Sequence, residues 1–328
     1  MYIRLRDLIS YTRNLSRSFT VGGTSRHLKW FTGGAAVTIS GLAYYCNEKW
    51  DQAELSPEHF TKYRISYNDR IDSDHFMLEL TPLESQKVDL WTAMRSEKLW
   101  SVQIKQPECM VVRNYTPLPL EHVGNGRIQR FSKGSYEEGK LFFYLKRYHT
   151  GEVARWLSEL PEGHVIELRG PYIDHELPKQ SNDKKSSYDI ATFTAGTGIA
   201  PIAQILLTNT PFAGRILMLH SCSTRQDLGP LKPLLEEALS NKRGVLHYFE
   251  SANGRDIRKI PNEVMALIPK PHTERESETS ISPILSLVCG PDGYLATMTG
   301  AKHGLLQGPV LGLLAQKNWD SSNVFKLS

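Results

Sequence analysis

Cysteine is scarce. Cys46, Cys109, Cys222 and Cys289 stand far apart and no two form a Cys-x-x-Cys pair, which excludes a disulfide framework, a clustered zinc site and a c-type haem attachment motif. The eleven histidines also lack metal-ligand spacing, so no metal site is expected. Net charge is low as well: a formal +4, owed largely to N-terminal arginines, gives no reason to invoke nucleic acid. At 328 residues, 40% hydrophobic and 23% charged, the chain has the composition of a globular protein, with room for two domains beyond an anchor.

Acids are nearly missing from the start of the chain. Met1–Lys29 holds Arg4, Arg6, Arg13, Arg17 and Arg26, several serines and Asp7 as its one acid; this predicts a mitochondrial transit segment in the matrix, although a basic tail has the same composition. Trp30–Cys46 carries no charge and has aromatic residues at both ends, as at membrane interfaces. It reads as a transmembrane helix at the short end of the roughly 17–25 residues that span a bilayer, with a buried core helix as the competing reading. Basic residues precede the span, whereas Glu48, Asp51, Glu54 and Glu58 follow it beside only Lys49 and Lys62. That bias is expected to anchor the protein in the mitochondrial inner membrane, with its C-terminal part in the intermembrane space.

Beyond the span, short alternating runs take over. Tyr63–Tyr67 and His75–Leu80, with Ser101–Ile104, Met110–Val112, Lys140–Leu145 and Val165–Leu168, predict a small antiparallel β-barrel. Polar Pro178–Ser187 is expected to be a linker. After it come a glycine turn and helix 200–209, strand 215–221, helix 230–240, strands 244–249 and 284–289, and helix 292–301, the pattern of a doubly wound parallel sheet. The fold class is therefore α+β then α/β. Val123–Gly139, rich in glycine, and Pro269–Pro283, rich in Ser, Thr and Glu, fall outside this plan; loops are the ordinary expectation, and a partner dock is the alternative.

A complete dinucleotide fingerprint is also absent. Ile190–Gln204 reads as an apolar strand, a turn with Gly196, Thr197 and Gly198, and a helix opened by Pro201, with no third glycine. Such a turn aims backbone N–H groups and a helix start at a phosphate, so a nucleotide is the expected guest, although similar turns occur without ligands. Two further motifs bear on the choice. Arg113-Asn-Tyr-Thr-Pro117 offers a guanidinium for a diphosphate, a ring for a sugar or ring system and a hydroxyl for a ring nitrogen, or else is a strand end turning at Pro117. Leu287-Val-Cys-Gly-Pro291 ends an apolar strand where open α/β sheets bind ligands; its cysteine otherwise reads as a small buried apolar residue.

Taken in order, Arg-x-Tyr-Thr-Pro, Gly-Thr-Gly-Ile-x-Pro and Cys-Gly-Pro resemble the ferredoxin reductase superfamily, and its NADH-cytochrome b5 reductase branch in particular. The resemblance runs from about His59 to the C-terminus, where Asn318–Phe325 is similar to that branch's closing turn and last strand. It implies an FAD-binding barrel domain over 59–178, an NAD(P)-binding domain over 188–328 and an FAD-dependent NAD(P)H oxidoreductase. It further implies that Arg113 contacts the FAD diphosphate, Tyr115 lies against the flavin and ribityl chain, and Thr116 faces the flavin near N5. Leu145–Tyr148 and Gly151–Trp156 match the second flavin segment, which makes Gly151, Val153 and Ala154 cofactor residues. Gly196, Thr197, Gly198 and Pro201 are implied for the pyridine nucleotide, as are Cys289, Gly290 and Pro291, with Cys289 beside the carbon that gives up hydride.

The chain departs from that pattern in three places. Ala154 stands where the branch usually has a phosphate-binding serine, Ala200 where a threonine precedes the proline, and Asp292-Gly293 where further prolines and a methionine are usual. Arg225 and Asp227 leave the choice of NADH or NADPH open; a solvated loop pair is the simplest reading of them, and NADPH is slightly favoured. The anchor, the Asp-Gly pair and the Trp319–Phe325 ending are similar to a fungal mitochondrial branch, which implies reduction of haem for c-type cytochromes, with cytochrome c haem lyase and apocytochrome c as partners. A general NADH-cytochrome b5 reductase and a non-catalytic FAD-containing assembly factor are the alternatives.

Overall fold

Alternate burial builds the first sheet. The computed structural model describes residues 53–131, 139–148, 151–178, 188–240, 243–273, 280–304 and 306–327; the expected transit segment 1–29 and span 30–46 lie outside them, as does nearly all of the expected linker. Among the described residues no helix is long and apolar enough to cross a membrane. The described residues form one compact unit.

In β1 (Thr61–Arg70) Tyr63, Ile65 and Tyr67 turn inward while Lys62 and Arg64 face solvent, the period of a half-buried strand. With β2 (His75–Pro82), β3 (Lys98–Gln106), β4 (Val111–Tyr115), β7 (Leu141–Lys146) and β8 (Val165–Glu176) it forms an antiparallel sheet in the order β4-β3-β8-β1-β2-β7. Its edges meet through one bridge, where Leu118 donates its N–H to the Phe142 carbonyl at 2.6 Å. The expected barrel is thus closed at a single point. Pro117 and Pro119 flank Leu118 and have no N–H to give, so a full ladder cannot form. Val123–Gly139 is not simply a loop, because β5 (Leu120–His122) and β6 (Ile128–Arg130) form a hairpin into it; residues 132–138 lie outside the described set. A short helix, α1 (Leu90–Met94), sets Trp91 on Trp100 in the barrel core, and α2 (Glu152–Glu159) buries Val153, Ala154 and Leu157.

The second sheet is parallel, in the order β11-β10-β9-β12-β13, from β9 (Asp189–Ala195), β10 (Ile216–Cys222), β11 (Gly244–Glu250), β12 (Pro283–Cys289) and β13 (Val324–Lys326). β9 is buried along its whole length, as a central strand covered on both faces must be. α3 (Ala200–Leu207), α4 (Leu231–Ala238), α5 (Pro261–Leu267), α6 (Asp292–Thr299) and α7 (Gly312–Ala315) connect the strands. α6 stops two residues short of the expected 301, since Gly300 takes φ +82 and caps it. From β9 the chain steps outward to β10 and β11, then returns to β12 on the other side. The ends of β9 and β12 therefore flank the switch point of the sheet, where such folds leave a crevice.

One core joins the two sheets. Tyr67, Met77, Leu118 and Phe142 of the barrel pack in the same cluster as Ile202, Ile205 and Leu206 of α3. Gln204 of α3, only 1% exposed, accepts from the Trp100 N–H at 3.0 Å and donates to the Trp100 and Pro117 carbonyls at 3.0 and 2.9 Å. Arg130 of the hairpin donates to the Leu207 and Thr208 carbonyls, capping the C-terminus of α3 with positive charge.

At the other end of the parallel sheet, Asp189 is fully buried. Its carboxylate accepts from the Arg215 guanidinium at 2.6 Å, the Arg215 N–H at 3.0 Å and the Ser282 N–H at 3.0 Å, joining the starts of three strands. Replacing it takes the carboxylate away from a buried guanidinium. Asp189→Ala is expected to cost about 3–5 kcal/mol in urea-monitored unfolding.

Candidate functional site

The barrel half of the site begins where β4 ends. Tyr115 pairs with Val102 on β3, and Pro117, its carbonyl held by Gln204, turns the chain away and leaves Thr116 at the edge. Arg113 is exposed on the same strand. Burial pushes the Tyr115 phenol up, with Arg113 pulling the other way, so this ring stays neutral. The start of α2 supplies the opposite wall. Gly151 caps the helix without a side-chain bond, and its carbonyl takes the Arg155 N–H, so the N–H groups of Glu152, Val153 and Ala154 precede the first helical bond.

The second half comes from the switch point. After Ala195 the chain makes a tight 3-10 turn, Gly196–Ile199, that runs straight into α3 with Pro201 in its first turn. A Cβ on Gly198 would stand 2.5 Å from the Cys289 carbonyl oxygen. Only glycine lets the turn lie against the end of β12 in this way.

The two halves enclose a cavity of about 500 Å³. Arg113, Tyr115, Thr116, Gly151, Val153 and Ala154 line its barrel side, and Thr197, Gly198, Pro201, Cys289, Gly290 and Pro291 line the other. Every sequence-expected site residue is thus in one cleft except Gly196, which lines a neighbouring cavity of about 420 Å³. Tyr144, Lys146, Tyr148, Ala195 and Pro291 border both cavities, so the two share a wall. Tyr148 bonds to Thr197 across this wall, which lowers a phenol that burial raises. Glu152 was not anticipated, and with Asp292 it brings two acids to a cleft whose cations are Arg113 and Lys146. Burial pushes the Cys289 thiol up to about 12; Lys302 lowers it and Asp174 raises it further.

The neighbouring cavity escaped the sequence reading. His75, Ser221, Ser223, Arg255, Arg258 and Tyr294 line it, from four separate segments, and no local spacing announces them. Arg225 and Asp227, expected as a solvated loop pair, both have fixed partners. The Asp227 carboxylate accepts from the Ser223 and Thr224 N–H groups at 3.0 and 3.2 Å and from the Thr224 hydroxyl at 2.6 Å. Arg225 donates to Glu250 at 2.8 Å and lies over the Tyr248 ring, and this bond holds the Glu250 carboxyl below the usual carboxylate range.

A cleft of this kind, glycine turn opposite a helix start at a sheet switch point, suits a dinucleotide. No protein-family model matches the chain. Over 97% of its length it is 42% identical to the cytochrome c mitochondrial import factor of Saccharomyces cerevisiae, covering 96% of that protein. It is 27% identical to an uncharacterized FAD-binding protein of Schizosaccharomyces pombe over 88% of its length and 92% of the relative's. It is also 27% identical to NADH-cytochrome b5 reductase 2 of Candida albicans, over 66% of the chain and 70% of that enzyme. Among solved structures, the cytochrome b5 reductase domain of Ulva prolifera nitrate reductase superposes with TM-score 0.53 at 16% identity, over 83% of this chain and 99% of that one. The likeness supports the fold expected from sequence, an antiparallel barrel sheet followed by a parallel sheet.

Ala154 lies in the first turn of α2, buried against the cleft, and offers no hydroxyl. Ala154→Ser adds one donor to the cleft at this helix start. The variant is expected to hold FAD more tightly by about 1.5–3 kcal/mol, read as slower flavin release in fluorescence titrations.

Proposed function

The chain belongs to the family of the cytochrome c mitochondrial import factor, and from that membership we propose that it works as a membrane-anchored mitochondrial flavoprotein, passing electrons from NAD(P)H to haem during c-type cytochrome assembly in the intermembrane space. It is an FAD-dependent NAD(P)H oxidoreductase, as its reductase and FAD-binding relatives indicate. The observation that carries the finer reading is the convergence of Arg113–Thr116, Gly151–Ala154, the glycine turn and Cys289–Pro291 on one cleft. The charge-free Trp30–Cys46 stretch after an arginine-rich start supports the anchor and the compartment.

The residues present fit FAD. Arg113 would pair with the diphosphate, the N–H groups at the start of α2 would receive its oxygens, and the neutral Tyr115 ring would lie along the flavin. Thr116 offers its hydroxyl at the ring edge. FAD held there supplies hydride acceptance and single-electron release, chemistry that no side chain of the chain provides. The turn Gly196–Gly198 and Pro201 would hold the pyridine nucleotide, and Cys289, small and uncharged, would position the nicotinamide. Tyr148, bonded to Thr197 on the wall between the two cavities, would border both cofactors. Haem, haem lyase and apocytochrome c are the proposed acceptor and partners.

A second reading is a general NADH-cytochrome b5 reductase, supported by the Candida albicans relative. The purified chain decides between them. A yellow protein that NAD(P)H bleaches anaerobically, and that then reduces haem faster than cytochrome b5, supports the haem reading. Preference for cytochrome b5 supports the second reading, and flavin that neither nucleotide bleaches makes the protein a non-catalytic assembly factor.

Two variants test the residue roles. Cys289→Ala is expected to slow flavin reduction about tenfold or more, roughly 1.4 kcal/mol of barrel-to-nucleotide positioning, at unchanged FAD content in stopped-flow traces. Arg255 and Arg258 line the neighbouring cavity beside Ser223, together with Asp227 and Asp256; with Arg258 held by Asp256 at 2.6 Å, it is Arg255 that favours the extra phosphate of NADPH. Arg255→Ala should therefore weaken NADPH about tenfold by calorimetry and leave NADH nearly unchanged.

A further inference from the structure

The barrel contributes a wall to the neighbouring cavity as well as to the cleft. Tyr144, near the end of β7 and opposite Met77 of β2, borders both and is 2% exposed. Its hydroxyl donates to the Asp227 carbonyl at 3.0 Å, a bond between residues 83 positions apart. Burial pushes the phenol up, so the oxygen keeps its proton and remains a donor. The ring is itself held. His75 of β2 stacks on it with centroids 5.7 Å apart and planes 10° apart, and Asp72 fixes His75 in turn, its carboxylate lying 2.8 Å from Nδ1 and accepting the His75 N–H at 2.8 Å.

What the hydroxyl holds is the 3-10 turn Arg225–Leu228 after β10. The shape of this turn is set locally, since Thr224 and Asp227 close a capping box around its start. Its place is not, because a capping box travels with its own residues wherever the turn goes. Two contacts from the barrel fix that place. Ile71, beside Asp72 in the β1–β2 connection, lies so near Gly229 that a Cβ there would stand 2.8 Å from the Ile71 side chain, and Tyr144 supplies the hydrogen bond. An apolar contact allows sliding, whereas a hydrogen bond has a preferred length and direction. Ser223 and Asp227 line the cavity together with Arg255, so the position of the turn is the position of one cavity wall.

We propose that Tyr144 is a positioning residue for the pyridine nucleotide, its hydroxyl holding the Ser223–Asp227 wall at the separation from the barrel that receives the adenosine end of the nucleotide. That end is the part an open sheet takes up beyond its second strand. The same ring borders the main cleft, so one side chain of the barrel sets the neighbouring cavity in register with the place where the flavin would lie. The proposal deepens the reading of the neighbouring cavity as a nucleotide site and rests on it.

The test is calorimetry of NAD+ and NADP+ binding to the FAD-loaded full chain, since the oxidised nucleotides bind without turnover. Tyr144→Phe keeps the ring and its stack on His75 and removes only the donor. It is expected to weaken both nucleotides about five- to tenfold and to raise KM by the same factor, with kcat and FAD content within about twofold of the parent. Arg255→Ala differs, because it discriminates between the two nucleotides. The proposal is overturned if Tyr144→Phe leaves both dissociation constants within about twofold, or if affinity falls only together with FAD content and thermal stability, the mark of a packing role. A parent chain that binds neither nucleotide overturns the nucleotide reading and this one with it, whereas equal binding by parent and variant overturns the role of Tyr144 alone.

Discussion

The Gln204 carboxamide decides how the rest of the molecule is arranged. It is buried on α3, one helical turn beyond the glycine turn, and it satisfies three backbone groups of the barrel, two at Trp100 and one at Pro117. Removing it would orphan all three away from water, at about 1–3 kcal/mol each. These bonds fix the strand end that carries Tyr115 and Thr116 against the helix that carries the phosphate turn. Arg130 adds a second tie to the other end of α3. With the shared apolar core, they make the cleft a preformed feature of the fold.

A preformed cleft changes how its charges are read. Arg113 and Lys146 face Glu152 and Asp292, so the formal charges of these four side chains cancel. Attraction of a diphosphate then falls to oriented backbone donors at the start of α2 and in the glycine turn, whose partial charges are fixed by geometry and need no counter-ion. The acid at the start of each of α2 and α6 suits the helix dipole while competing with an anionic guest. The neighbouring cavity sets Asp227 and Asp256 beside Arg255 and Arg258, and with Arg258 held by Asp256 it is the Arg255 side chain whose charge can select between nucleotides.

Local patterns in the sequence carried most of the fold. Alternation in Tyr63–Tyr67 and the all-apolar run in β9 each reflect burial of one face or two, and a single chain segment displays that. The glycine turn was legible because its steric need is local as well. Barrel closure was not, because it depends on which edge strand meets which, and the prolines around Leu118 limit the meeting to one hydrogen bond. The β5–β6 hairpin was read as loop because its three-residue strands are too short to show a period. Arg225 is half-exposed, as a loop residue should be, but its partner Glu250 lies on another strand, so the pairing was not legible.

Cys289 illustrates the same limit within the site. The Cys-Gly-Pro motif marked the residue, and the contact of Gly198 with its carbonyl explains why the turn and the end of β12 must be read together. What packs on the last strand comes from β8 and from the loop after α6, more than a hundred residues apart in the chain. β13 adds to the sheet beside β12 and ties both segments to it, through His175 on Phe325 and Ala301 on Lys326. The last strand thus does more than finish the sheet, since it also holds a barrel strand and a distant loop beside the strand that ends in Cys289.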